Sequence, residues 1–300
     1  MEKIRVRRKP QPKRPRYTRA DFDRDFPDDG ACLDWLVSVK YPDGISCSSV
    51  KCKGAIRKHY RVQSRLSYSC DMCGNHVHPM TGTIYEKSST PLRKWFLAVF
   101  LMSTTKTGVS SRWLQREIGV TYKTAWRMFR NMRAMLDEGP PDMGGTVEID
   151  ETIVGGRRKG HANVMKNKAI VLGIHERGSR MYGEVVPNVR HRTLVPKIEH
   201  YVRKGSQIFT DELLSYQTLR NAGYPEHVAV NHKRNVYAVG VAHVNNVESF
   251  WGNMKRGMDG AHHRVSPKYL QNYVDEWTFR FNHRNDEMPM FWTMLAQVSA

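Results

Sequence analysis

The chain has 300 residues, 40% hydrophobic and 10% aromatic, enough apolar material for two or three small domains with real cores. Its 48 Lys+Arg against 29 Asp+Glu leave a net charge of +19, a surplus whose sign suits a polyanionic partner, nucleic acid before all others. The longest apolar run, Trp95 to Met102, falls far short of the roughly 20 residues of a bilayer span, and the N-terminus lacks an apolar signal segment, so a cytoplasmic protein with no membrane role is expected.

Residues 1–19 hold nine Lys/Arg against Glu2 alone, with Pro10, Pro12 and Pro15 between them. That composition predicts a disordered basic arm over residues 1–20, ordered only on meeting phosphate. An N-terminal segment follows over 21–90. Within it, Cys47-x4-Cys52 and Cys70-x2-Cys73 are separated by 17 residues, while Cys32 stands apart. Two tight turns that each offer two thiolates suit a structural Zn²⁺, and a zinc ribbon is predicted over about 45–85. His59, His76 and His78 are alternative ligands nearby. A disulfide is disfavoured by an odd cysteine count in a cytoplasmic chain.

After Pro91, Leu92 to Ser103, Ser110 to Ile118 and Thr121 to Leu136 read as three helices, with Gly119-Val120-Thr121 as the turn before the third. Thr121 can cap that helix, and Ala125, Met128, Phe129, Met132 and Leu136 give it a core face. Lys123, Arg127 and Arg130 lie on another face. The pattern is that of a helix-turn-helix, over 91–137, whose basic third helix enters the major groove of DNA. An ordinary bundle with a solvated basic face gives the same pattern, and the net charge and zinc ribbon favour DNA.

The segment Asp137 to Gly145 (DEGPPDMGG) lacks periodicity and marks a linker over 138–145. Beyond it, Thr146 to Val154, Lys168 to His175, Met181 to Val186 and Gln207 to Thr210 read as strands, with a helix from Thr193 to Val202 before the fourth: an α/β layout that opens with an antiparallel meander. Asp150 lies in the first strand, Asp211 directly follows the fourth, and Glu248 sits on a helix that Asn245-Asn246 can cap. Three carboxylates converging from two strands and a helix are hard oxygen ligands suited to Mg²⁺ or Mn²⁺. Two such ions about 4 Å apart would activate water or a 3′-hydroxyl for attack on a phosphodiester. Glu148, Glu151 and Glu212 are acidic neighbours. By alternation Glu148 shares Asp150's face, where it either supports the site or faces solvent.

The string Val147-Glu148-Ile149-Asp150-Glu151-Thr152 leading to Gly155-Gly156, the Thr210-Asp211 pair, and His243-Val244-Asn245-Asn246-Val247-Glu248-Ser249-Phe250-Trp251 followed by Lys255-Arg256-Gly257 resemble the ISXO-like DDE transposases of bacterial insertion sequences. Upstream, Thr81-Gly82-Thr83 and Pro91-Leu92-Arg93-Lys94-Trp95 are similar to the same family's zinc ribbon and its junction. The resemblance implies an RNase H-like mixed sheet flanked by helices over 146–285, preceded by the small zinc ribbon and the helix-turn-helix and followed by a C-terminal tail over 286–300. It also implies Asp150, Asp211 and Glu248 as the DDE triad, Lys255 as a cation on substrate DNA, Lys268 to Arg284 as a closing helix with a mainly core role for Tyr269, Tyr273, Trp277 and Phe281, and a nucleoid-associated enzyme. The expected partners are terminal inverted repeats and target DNA, with a homo-oligomer when two ends are brought together. A regulator that keeps the DNA-binding modules without catalysis, and a structure-selective nuclease on the same fold, are the competing functions.

Overall fold

A computed structural model describes residues 16–155, 168–230, 243–262 and 265–299. The basic arm up to Pro15 and Gly156 of the Gly155-Gly156 pair lie outside the described residues. No helix among the described residues is long and apolar enough to cross a membrane.

The N-terminal part begins with α1 (Arg19–Asp25), closed by a capping box in which Thr18 and Asp21 satisfy each other's backbone N–H groups. Helix α2 (Asp29–Lys40), capped by Asp28, follows. Next comes an antiparallel three-stranded sheet of β1 (His59–Val62), β2 (Ser67–Cys70) and β3 (His76–Val77) in the order β1-β2-β3. Then come α3 (Leu92–Thr104), α4 (Ser111–Ile118) and α5 (Tyr122–Ala134). Ser110 caps α4, Gly119 ends it with φ +61°, and Thr121 caps α5, so the turn is built as its sequence predicts.

Two expectations fail at the chain's ends. The stretch assigned to a disordered arm already contains the start of α1, and Tyr17 stacks on Phe291 at 4.6 Å. The stretch 286–300, expected as a tail, holds α9 (Met290–Ser299). Phe291, Met294 and Leu295 of α9 are buried in one core with Phe22, Phe26 and Phe100. Aromatic burial accounts for both corrections, because taking rings of this size out of water offsets the cost of ordering a short helix.

The second part is a five-stranded sheet in the order β6-β5-β4-β7-β8, formed by β4 (Thr146–Val154), β5 (Ala169–Glu176), β6 (Met181–Val186), β7 (Gln207–Thr210) and β8 (Val228–Ala229). The first three strands form an antiparallel meander, while β7 and β8 run parallel to β4; this is the mixed, RNase H-like sheet. Alternation sorts the faces. Ile149, Leu172 and Ile174 join α6 (His191–Tyr201) in one core, and Val171 joins α7 (Asn245–Ala261) and α8 (Leu270–Asn282) in another. The free edge of β6 is closed by α8: Asn282 accepts from the Met181 N–H, Gln271 accepts from the Val185 N–H, and the Gln271 amide donates to the Gly183 carbonyl, so no bare edge remains there to recruit another strand.

The predicted linker is docked. Met143 is fully buried and bridges to Val202, and Glu138 accepts hydrogen bonds from Asn282 and His283. The two parts meet at a buried ion cluster, where Glu276 of α8 binds Arg133 of α5 at 2.6 Å and Arg280 at 2.8 Å, and Arg280 also donates to the Met102 and Thr105 carbonyls at the end of α3.

Candidate active site and metal centre

In an open sheet, ligands collect beyond the carboxyl ends of parallel strands, where the chain diverges. Strands β4 and β7 are such neighbours, and their last register pair is Glu148 with Phe209. Asp150 and Asp211 each follow that pair by two residues. Beyond it β4 continues against β5 alone, so the two acids face a gap in the sheet. Oxygens of Asp150, Glu151 and Asp211 lie within 4.8 Å of one another. Burial, then the charges of Glu151 and Asp211, with a smaller contribution from Glu248, push the Asp150 carboxyl up to about 7. Crowded carboxylates of this kind call for a cation between them.

Each acid is aimed by a fixed donor. The Leu213 N–H donates to Asp211 at 3.0 Å, and the Trp251 indole N–H donates to Asp150 at 3.1 Å. Gly173, opposite Asp150 in the β4–β5 register, admits that indole: a Cβ there would lie 2.4 Å from Trp251 Cζ2. The buried Tyr216 hydroxyl donates to Glu151 at 2.6 Å, drawing this third member of the cluster away from full freedom.

Glu248 lies in the first turn of α7 and is exposed. Its charge acts on Asp150, but it stands outside the tightest trio, which Glu151 completes. Asn245 and Asn246 do not cap α7 with their side chains. The helix start is held instead by Glu148, which is fully buried. Glu148 accepts from the Asn246 backbone N–H at 3.0 Å, the Asn246 amide at 2.8 Å and the Val247 N–H at 3.4 Å. Arg177 donates to it at 2.7 Å, and a His243 ring nitrogen lies 3.2 Å away. A carboxylate at a helix N-terminus is favoured by both the unpaired N–H groups and the helix dipole, so Glu148 faces no solvent and fixes the helix that carries Glu248. Lys255, seven residues on, shares Glu248's side of α7 and is half-buried.

The four cysteine sulfurs of Cys47, Cys52, Cys70 and Cys73 form the second such group among the described residues. Cys47 and Cys73 sulfurs are 3.5 Å apart, and those of Cys52 and Cys70 are 3.8 Å apart. Disulfide bonding is excluded by these lengths. Tetrahedral corners at a Zn–S distance of 2.3 Å are about 3.8 Å apart, so the set fits zinc. The wide first gap is absorbed by a turn in which Lys53 and Gly54 take positive φ and the Gly54 N–H donates to the Cys47 carbonyl at 3.2 Å. His59 and His76 are engaged elsewhere, with the Arg57 carbonyl and Ser67, and no histidine joins the group. Cys32 is buried in the N-terminal core.

Lys123, Arg127 and Arg130 are all exposed on α5, while Ala125, Met128, Phe129 and Met132 are buried. Sequence periodicity thus separated the two faces. Glu148's burial, Glu151's place in the acid cluster and the Trp251–Gly173 contact were missed. Glu148's position on Asp150's face was the available signal for the first.

The ISXO2-like transposase domain matches residues 142–282. A protein of Halobacterium salinarum described as an uncharacterized protein in transposable element ISH50 is 29% identical over 265 residues, covering 82% of this chain and 88% of that one. An uncharacterized transposase-like protein of Haemophilus influenzae is 29% identical over 119 residues, 40% of this chain and 93% of that one. A chain of a pre-cleavage Mos1 transpososome crystal structure aligns with a TM-score of 0.30 and 11% identity over 71% of this chain and 78% of its own. Asp150, Asp211 and Glu248 all lie inside the stretch that matches the ISXO2-like transposase domain, and over that stretch the chain resembles the ISXO-like transposases.

Proposed function

We propose that the protein binds the terminal inverted repeats of its own element, cleaves DNA there and joins the freed 3′-ends to target DNA, with Asp150, Asp211 and Glu248 as the catalytic acids. The observation that carries this reading is the convergence of Asp150 and Asp211 just past the point where the parallel pairing of β4 with β7 ends, within reach of the charge of Glu248 on α7. These residues would hold Mg²⁺ or Mn²⁺, which supplies Lewis-acid activation of a water or 3′-hydroxyl and stabilises the leaving oxygen. The protein's own part is positioning. Trp251 and Leu213 fix the two aspartates, Glu148 fixes α7, and Lys255 on the same side of that helix meets DNA phosphate. A structural zinc on Cys47, Cys52, Cys70 and Cys73 shapes the ribbon, and Lys123, Arg127 and Arg130 read or grip the repeat. Bringing two ends together calls for an oligomer.

The test uses the full chain, Mg²⁺ and duplexes carrying the ends of the element that encodes it. Parent protein is expected to nick at the repeat terminus, and Asp150→Ala, Asp211→Ala and Glu248→Gln to bind the same DNA without nicking it. Cutting by these variants at the parent rate removes the catalytic assignment, and equal retention of branched DNA and repeat ends favours a structure-selective nuclease.

A further inference from the structure

A cavity of about 600 Å³ opens between the helix-turn-helix and the junction of α7 with α8, within the roughly 300–1,000 Å³ range of small-ligand sites. Arg112 and Arg116, one turn apart on α4 and both exposed, stand on one wall with Arg130 of α5. Among the described residues no Asp or Glu lines it. Aromatic rings complete the walls: Tyr122, 46% exposed, lies under Arg112 at 5.3 Å, and Trp126 meets Tyr269 edge to face at 5.3 Å. Tyr269, expected as core, is half-buried here and lines the cavity.

Cations alone would suit the outside of a duplex. Rings in a concave site need a partner with a free π-face, and a base inside a duplex is stacked on both sides. Guanidinium groups beside aromatic rings, with no acid between them, match the chemistry of an unpaired nucleotide: phosphate on the arginines, base on the rings. We infer that this cleft binds a single unpaired stretch of DNA, with its phosphates at Arg112 and Arg116 and a base against Trp126 and Tyr122. The inference rests on the reading of the protein as a DNA-cleaving transposase, because cutting one strand at an end frees such a stretch.

The experiment measures fluorescence anisotropy of the full chain with a fluorescein-labelled dodecathymidylate and with a blunt duplex over a salt series. Trp126→Ala is expected to weaken the single strand roughly five- to a hundredfold, the range of one stacked base, and to leave the duplex unchanged. Trp126→Phe, which keeps a ring, restores most of the loss. Arg112→Ala and Arg116→Ala each flatten the single-strand salt slope by about 0.7. Tyr122→Ala, at an exposed position, repeats the first comparison should Trp126→Ala not fold. Wild-type single-strand affinity in Trp126→Ala or, failing that, Tyr122→Ala overturns the site, as does an equal loss on duplex. Failure of the catalytic reading shows elsewhere, as unaltered nicking by Asp150→Ala while these binding differences persist.

Discussion

Asp150 of β4 and Asp211, directly after β7, each lie two residues past the Glu148–Phe209 pair that joins these parallel strands. Strand register alone therefore brings them together, and the third ligand is a choice between Glu151, which lies in the tight trio, and Glu248, which overlooks it from α7. Tyr216 holds Glu151 by a 2.6 Å hydrogen bond, whereas Glu248 shares a helix side with Lys255. Glu248→Gln should abolish Mg-dependent nicking. Glu151→Gln should lower it by about 10–100-fold, the usual cost of losing a supporting group at a metal site. Nicking rates of the two variants decide the matter, and the reverse order would move the third ligand to Glu151.

Gly173 leaves room for the indole that orients Asp150. A methyl group there would sit 2.4 Å from the Trp251 ring, so Gly173→Ala must displace the indole and break its hydrogen bond to the acid. Overpacking of this size costs about 1–3 kcal/mol. The variant should unfold at lower denaturant and need more Mn²⁺ for half-maximal nicking, while binding end DNA as the parent does.

Glu148 ties the sheet to α7 without facing solvent. Removing its charge in Glu148→Gln leaves Arg177 near a neutral amide and withdraws an anion from the helix N-terminus. Breaking a buried ion pair costs about 3–5 kcal/mol; Arg177 is 21% exposed, which places this variant toward the low end. Nicking should fall together with the protection of α7 amides from hydrogen exchange. Glu148→Asp, which keeps the charge on a shorter arm, should recover part of both.

The strands of the sheet and the helices of the helix-turn-helix were legible because their apolar residues repeat with the period of their element, and the turn between α4 and α5 carries its glycine and its cap in Gly119 and Thr121. Asp150 and Asp211 were legible because an acid in or just after an apolar strand breaks the pattern. Helices α1 and α9 were hidden in short stretches whose burial depends on each other: Tyr17 and Phe291 are far apart in sequence and stack only in the fold. Glu148 was hidden for a related reason, since its partners Asn246 and Val247 lie about a hundred residues away and strand alternation gives a face but not what covers it.

The cysteine group gives a prediction that does not depend on catalysis. Metal analysis should find about one zinc per chain, and Cys70→Ser should lose it. Ile45, Tyr68 and Tyr85 tie the ribbon to the core built on α2 and α3, so loss of metal should open the ribbon locally. Limited proteolysis of the variant should then cut between Cys47 and Cys73 while the stretch from Leu92 to Leu136 stays protected. A zinc-free parent with an uncut ribbon would remove the metal from the account.

Asp275 sets a pH dependence that lies apart from both metal groups. It is buried in α8, and burial pushes its carboxyl up to about 7 despite the Gln271 amide that donates to it. The unfolded chain releases this proton near 3.8. Between about pH 4 and 7 the native state therefore holds the proton that the unfolded state has lost, and stability from this residue falls as pH rises. Asp275→Asn, which cannot ionise, should be stabilised relative to the parent by about 2–3 kcal/mol more at pH 8 than at pH 5. Urea denaturation of the two proteins at both pH values measures the difference, and equal differences at pH 5 and pH 8 would show that Asp275 ionises in the native protein as freely as in the unfolded chain.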